Sequence, residues 1–412
     1  MENLSGDTLV KAPCKSLGVL LITFCVCTQA AANSEHEFDQ LARQVIQSLV
    51  DPERPLATDQ AKILVERYPN SALGHWLHAE THAIQALSPS YLLGNANMTK
   101  ALMDLLLEVR IRQQDPPPID SMVPMNLIQL SKDTQHVVLV DLSSSTLFLY
   151  DSSLGRARLV KQHYIASGSG GYGKTQEGDL KTPLGVYRIT GHRSDDSLPD
   201  LYGAGALILD YPNAFDKARQ RGGSGIWLHG VPHNEWNRSP LSSEGCVTMA
   251  NELFSDLQHT LDPTNTQVIF DASIDWRDVS DVHTSRRELL NRFQDFQRAW
   301  QQNTLSLLES VYSDSVQPYA GLDTQAMTRV STQSAPSAAG FSEPQRIELM
   351  DVPLDSLSIL RHKSLNSERH LHPVVVMSFQ LSPSRLQVSL YWSKDASGQW
   401  RIVHQSVSSS SV

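Results

Sequence analysis

Cys246 sits in the stretch Ser243-Glu244-Gly245-Cys246, and the other cysteines, Cys14, Cys25 and Cys27, all fall in the N-terminal segment. Removal of that segment on export would leave a single thiol. Exported proteins ordinarily pair their cysteines or lack them. An unpaired one beside a serine and a glycine, downstream of His229-Gly230, reads as a nucleophile. An isolated cysteine is more often a small buried hydrophobe, and the surrounding pattern decides against that here. A thiol attacks a carbonyl as thiolate, so it needs a base or a positive charge nearby. His229 ends the run Ile226-Trp227-Leu228, a predicted strand that can hold an imidazole rigidly, and is the natural base. Gly245 has no side chain, so a substrate carbonyl can approach the backbone. Gly245 and Gly230 are the candidates for N–H groups that stabilise an oxyanion. Ser243 is expected to hydrogen-bond the histidine and fix its tautomer, completing a triad. His229 and His233 have H-x-x-x-H spacing, but the glutamate of a zinc-binding helix is missing and Pro232 interrupts. The reading is acyl transfer without metal or cofactor.

Those residues need elements to position them. Lys11 and Lys15, the apolar run 17–26 and Ala30-Ala31-Ala32 predict a cleaved signal peptide over 1–32, with an uncleaved anchor as the alternative. The mature protein is then expected in the periplasm. Residues 33–115 are predicted helical. Phe38, Leu41, Val45 and Leu49, then Ala61, Leu64, Val65 and Tyr68, recur at helical spacing, with Thr58 and Ser71 as N-caps. Prolines 116–118 stop that pattern. Short β-rich runs and clustered glycines predict a mostly-β domain over 136–271, with strands at 137–142, 146–150, 186–190, 206–209, 226–229 and 267–270. From about residue 283 to 412 an α+β domain is expected. Leu289, Phe293, Phe296 and Trp300 share a helical face there, and strands are predicted at 346–350, 355–361, 373–381, 385–393 and 399–404. His362, His370 and His372 are expected to be solvated loop residues. A net charge of -10 without a lysine-arginine run excludes a nucleic-acid partner and a basic membrane-binding face.

The stretch His229-Gly230, an interval, then Ser243-Glu244-Gly245-Cys246 resembles the catalytic motif of the L,D-transpeptidase (YkuD-like) family. Gly178-Asp179-Leu180-Lys181-Thr182-Pro183-Leu184-Gly185-Val186-Tyr187 is similar to a second stretch of that family, and residues 140–150 look like its opening hairpin. The resemblance implies a β-sandwich-like domain that attacks the bond between diaminopimelate and the terminal D-alanine of a peptidoglycan tetrapeptide. A thioacyl-enzyme would pass its acyl group to an amine of a second stem, of a D-amino acid or of a wall-anchored protein lysine. By this carry-over Cys246 is the nucleophile, His229 the base and Ser243 the orienting partner. Carbapenems are the expected inhibitors. Water as acceptor would make the protein an L,D-carboxypeptidase or hydrolase, and a vestigial site would leave a wall-binding scaffold. Many relatives carry histidine at the position of Glu244 and arginine at that of Thr248. Glu244 is therefore a candidate for binding the amine acceptor, and Arg238 or Lys181 for binding a substrate carboxylate. The C-terminal stretch resembles the SnoaL-like cone-fold family, which implies binding or dimerisation.

Overall fold

Four helices open the chain: α1 (Leu17–Val50), α2 (Thr58–Arg67), α3 (Ala72–Gln85) and α4 (Lys100–Arg112). In the computed structural model the residues described are 17–86, 100–115, 117–152, 156–302, 305–313, 348–349, 351–366 and 370–409. Phe38, Ala42, Val45 and Ile46 recur on one face of α1 and are fully buried against Ala61 and Leu64 of α2 and Leu73 and Leu77 of α3. Ser71 caps α3 by accepting from the Gly74 amide (3.1 Å). Thr58 is instead the first helical residue of α2, with Ala57 at the N-cap and no side-chain bond. α1 runs through the expected signal boundary at residue 32 without a break. No helix among the described residues is long and apolar enough to cross a membrane.

The middle of the chain forms an eight-stranded curled sheet. Its spatial order is Val247–Thr248, Trp227–His229, Gly205–Leu209, Gly185–Ser194, Thr266–Asp271, His136–Asp141, Thr146–Asp151 and Arg158–Tyr164. Short α5 (Ala214–Ala218) and α6 (Asn251–Thr260) accompany it. The strand at 136–141 shows why its sequence is almost uninterrupted apolar. Val138 and Val140 enter a core shared with Leu253, Phe254 and Leu257 of α6. Val137 and Leu139, on the opposite face, meet Leu360, Val374, Val376 and Tyr391 of the C-terminal region. Both faces are covered, so no polar alternation survives. The edge strand Arg158–Tyr164, by contrast, carries a weak apolar signal because much of it faces solvent, and it escapes sequence reading.

The C-terminal region starts with α7 (Val279–Gln302) and α8 (Leu305–Val311). A five-stranded sheet follows in the order Trp400–Ser409, Leu386–Lys394, Leu371–Gln380, Ser358–Leu365 and Leu127–Gln129. One face packs on Leu289, Phe293, Phe296 and Trp300 of α7, and the other packs on the central sheet. Two expectations fail here. Glu348 and Leu349, inside the strand predicted at 346–350, are helical, and residues 354–356 form a 3-10 turn before the strand that begins at Ser358. The serine-rich loop 331–339 lies outside the described residues. His362 is no solvated loop residue either: it is 1% exposed, mid-strand, between the two sheets. The segment ahead of the central sheet is also more than a linker. Val123–Pro124 pairs with Trp276–Arg277, and Leu127–Gln129 completes the C-terminal sheet antiparallel to Ser358–Leu365.

Candidate active site

Of two neighbouring strands, one carries the imidazole and the other leads out of the thiol. Trp227–His229 and Val247–Thr248 pair in parallel, with Val247 opposite Leu228 and Thr248 opposite His229. Leu228 and Val247 are fully buried in the core. The alternation of a strand therefore turns Trp227 and His229 to the other face, and Cys246 enters directly before Val247. His229 is buried, and its Nδ1 is 2.7 Å from the Gly230 carbonyl. A carbonyl only accepts, so Nδ1 carries the proton and Nε2 keeps the basic lone pair. The Tyr202 ring meets the imidazole edge-on at 4.9 Å and the Trp227 ring at 5.0 Å. Burial pushes His229 down to about 4; the Gly230 carbonyl opposes this and the Arg238 charge adds to it.

Cys246 is half-buried, and its S–H donates to the Gly225 carbonyl at 3.3 Å. Burial pushes the thiol up to about 11. The Trp227 amide works against that, Glu244 adds to it, and Lys174 pulls the other way. Among the described residues no hydrogen bond joins the thiol to the imidazole. The resting pair is neutral on both sides.

The turn before Cys246 corrects two expectations. Ser243 does not reach His229: its hydroxyl donates to the Cys246 carbonyl (2.6 Å) and accepts from the Gly245 amide (3.1 Å). The strand Leu241–Ser243 runs parallel to Ser167–Gly168 and turns this hydroxyl into the loop it closes. The Gly230 carbonyl, not the serine, fixes the tautomer. Gly245 and Gly230 are glycines for space rather than as free donors. A Cβ on Gly245 (φ +129°) would stand 2.7 Å from the Lys181 carbonyl, and one on Gly230 2.1 Å from Asn251 Oδ1. Their amides already serve Ser243 and the Gly205 carbonyl. The amide beside the sulfur is that of Trp227.

The remaining predicted residues ring this centre. Glu244 is exposed and close enough to act on the thiol. Lys181 is half-buried, with its carbonyl against Gly245. Arg238 pairs with Glu235 (3.2 Å) and faces His229. His233 lies apart, its ring bound to Asp200 (2.6 Å) and Asp195 (3.2 Å).

Several contributors were missed. Buried Lys174 pairs with Asp179 (2.8 Å) and is a cation acting on Cys246. Burial disfavours the Asp179 carboxylate, but Lys174 and the amides of Thr175, Gln176 and Lys181 outweigh it and hold it down at about 2. Thr182 accepts from the Gly168 amide (2.9 Å) and donates to the Gly245 carbonyl (3.0 Å), clamping this loop to the nucleophile turn. Asn251 accepts from the Ala204 and Val231 amides (2.9 and 3.1 Å) and donates to the Val231 carbonyl (2.8 Å), tying the chain just past the histidine to the start of the neighbouring strand. Asp179 and Thr182 stood in the glycine-rich motif, while Lys174 and Asn251 carried no signal. Thr248, where relatives place arginine, is 1% exposed, and its hydroxyl has no hydrogen-bond partner among the described residues.

Residues 135–270 match the L,D-transpeptidase catalytic domain (YkuD). Over 108 residues the chain is 31% identical to the "Putative L,D-transpeptidase YafK" of Escherichia coli strain K12, and equally to that of strain O157:H7. That match covers 26% of this chain and 39% of the relative's own length. Among solved structures, Bdellovibrio bacteriovorus Bd1075 is 20% identical over 70% of this chain and 99% of its own, at a TM-score of 0.49. The helical cell shape determining protein Pgp2 from Campylobacter jejuni is 19% identical over 69% and 95%, at a TM-score of 0.47. The chain therefore carries, over residues 135–270, a catalytic domain of the YkuD L,D-transpeptidase family.

Proposed function

We propose that the protein is a periplasmic cysteine L,D-transpeptidase that acts on peptidoglycan tetrapeptide stems and passes the acyl group to an amine. The observation that supports this reading is the parallel register in which Thr248 stands opposite His229 and Cys246 directly precedes Val247 on the neighbouring strand. His229 Nε2 takes the thiol proton. The thiolate attacks the carbonyl carbon of the diaminopimelate–D-alanine bond, and the D-alanine amine leaves with the proton returned by the imidazolium. The thioester is then opened by an acceptor amine, whose proton passes through His229 to the departing Cys246 sulfur and restores the thiol. Burial opposes the thiolate and the imidazolium separately, so in this reading the charged pair forms only in the course of the reaction. The Trp227 amide and the Lys174 charge favour that pair on the sulfur side.

Glu244 is exposed at the rim, where its carboxylate attracts a cationic amine and so favours amine over water as acceptor. Arg238 and Lys181 serve the stem carboxylates, and Ser243 acts by holding the nucleophile turn. The signal at 1–32 delivers the protein to the periplasm. The C-terminal region, in this reading, is a SnoaL-like cone-fold domain for binding or dimerisation.

Mass spectrometry of the purified protein with disaccharide-tetrapeptides, alongside Cys246→Ala, tests the assignment. Cysteine-dependent loss of D-alanine with stem dimers or D-amino-acid exchange is the expected result. Tripeptide alone would convert it to a carboxypeptidase. No adduct on Cys246, with stems or with a carbapenem, would leave a scaffold.

A further inference from the structure

In the interval between His229 and Cys246, Trp236 and Asn237 are tied to the N-terminal helical region, and Arg238 is tied to Tyr164 of the central sheet, on whose ring Arg112 lies. The Trp236 ring packs on Tyr68 (4.8 Å) and Phe38 (6.1 Å), and its amide donates to the Asn70 carbonyl (3.0 Å). Asn237 Nδ2 donates to Glu108 (3.0 Å), a carboxylate only 2% exposed. The Arg238 carbonyl accepts from the Tyr164 hydroxyl (3.0 Å). Arg112 joins these anchors. Its guanidinium pairs with Glu108 (2.9 Å) and Asp39 and lies over the rings of Tyr164 (4.2 Å) and Phe38 (4.9 Å).

Downstream, the Pro240 carbonyl accepts from the Ser167 amide (2.8 Å), and Leu241–Ser243 pairs with Ser167–Gly168. Ser243 then closes the turn on Cys246. One buried ionic cluster thus fixes where Arg238 stands and the line along which the chain reaches the nucleophile.

We propose that the N-terminal helices are a positioning element of the active site, with Arg112, Glu108 and Asn237 as positioning residues that hold segment 236–243 in register with His229. The proposal rests on the transpeptidase reading for its kinetic consequence only. Hydrogen bonds to a buried charged cluster are directional, so they set position as well as adhesion. A displacement of the order of 1 Å in a catalytic element costs about 100-fold in rate. Among the described residues no hydrogen bond joins the segment to the sulfur itself, so the thiol's reactivity toward a small reagent should depend on it far less than stem acylation does.

The test uses the full chain and two mild variants, Asn237→Ala and Asn237→Asp, because Arg112→Ala risks unfolding. Asn237→Asp sets a second carboxylate against Glu108 and should act more strongly. Amide hydrogen exchange over 236–243 should rise about tenfold if the tie is lost. Acylation of Cys246 by a tetrapeptide should slow by about 10- to 100-fold. Alkylation by iodoacetamide should stay within about twofold of the parent, the pattern for misplacement rather than general loosening. Unchanged exchange overturns the tie. Faster exchange with unchanged acylation overturns the positioning role, and equal slowing of acylation and alkylation marks a merely structural one. Should the parent itself fail to acylate, the transpeptidase reading falls, and exchange alone decides whether the helices hold the segment.

Discussion

The central sheet is held from two sides, and the sides differ in what their polar bonds reach. Toward the C-terminal region, Val137, Leu139 and Ile269 meet Leu360, Val374 and Val376, the Phe215 ring stacks on Tyr391 at 4.4 Å, and the Lys363 amide donates to the Asp271 carboxylate (3.3 Å). Polar contacts there, such as Arg221 to Ser364 (3.2 Å), do not touch the interval between His229 and Cys246. Toward the N-terminal helices the Trp236 ring packs on Tyr68 and Phe38 beside a charged cluster. Arg112, Glu108 and Asp39 meet there, His163 faces Glu35 (2.8 Å), and Trp236 and Asn237 are each held by a hydrogen bond. Apolar contact is roughly proportional to area and indifferent to direction, whereas charge-assisted hydrogen bonds fix geometry. Both sides carry such bonds, but those toward the N-terminal helices fall within the interval that leads to Cys246.

Mutations can break that distinction. The largest effect is expected from Arg112→Ala, which strands the Glu108 carboxylate in a buried site. It should cost about 3–5 kcal/mol in denaturant unfolding and should abolish stem acylation. Leu360→Ala on the apolar side should cost about 2–4 kcal/mol in the same measurement, yet leave acylation per folded molecule within about twofold of the parent. A slowdown there as deep as that of Asn237→Ala would erase the contrast between the two sides.

The apolar side has a titratable weak point in His362, which burial pushes down to about 4, the Lys363 carbonyl opposing and Arg221 and Arg219 adding. His362 stays neutral in the folded protein, while the unfolded chain takes up its proton below about 6.5. The folded state therefore loses stability as pH falls from about 6.5 toward about 4, by about 2 kcal/mol at pH 5. His362→Gln should show a smaller drop than the parent between pH 7 and pH 5. Equal drops would mean that the imidazole is solvated. The finest comparison preserves shape on both sides. Leu360→Met should cost less than about 1.5 kcal/mol, and Glu108→Gln, equally conservative in volume, should cost more because Arg112 loses the buried one of its two carboxylate partners.

Much of this was legible in the chain itself, where chemistry and local pattern coincide. Cys246 and His229 stand out because a thiol nucleophile requires a base, and the strand carrying His229 reads directly from Ile226-Trp227-Leu228. The faces of α1 and α7 follow from helical spacing because each buries a single stripe. Ser243 misled because its chemistry suits a triad, while only the parallel pairing of Leu241–Ser243 with Ser167–Gly168 reveals which way the hydroxyl turns. Lys174 and Asn251 act through contacts far from their own neighbourhood in sequence, which no local pattern encodes. The C-terminal histidines sit in a segment rich in serine and arginine, and His362 is buried only because another sheet covers it.

The strand Leu127–Gln129 bears on how the protein comes to exist. Gln129 Nε2 donates to the Leu357 carbonyl at 2.8 Å across 228 positions of sequence, so the chain cannot finish one region before beginning the next. During N-to-C emergence, Leu127 and Ile128 remain an open apolar edge until Ser358–Leu365 arrives, a state prone to wrong pairing. Contacts of such separation slow folding, because the loop between them must be closed before they contribute. Assembly is therefore expected as a late, concerted event, in which the end of the chain completes a sheet that its beginning had left open.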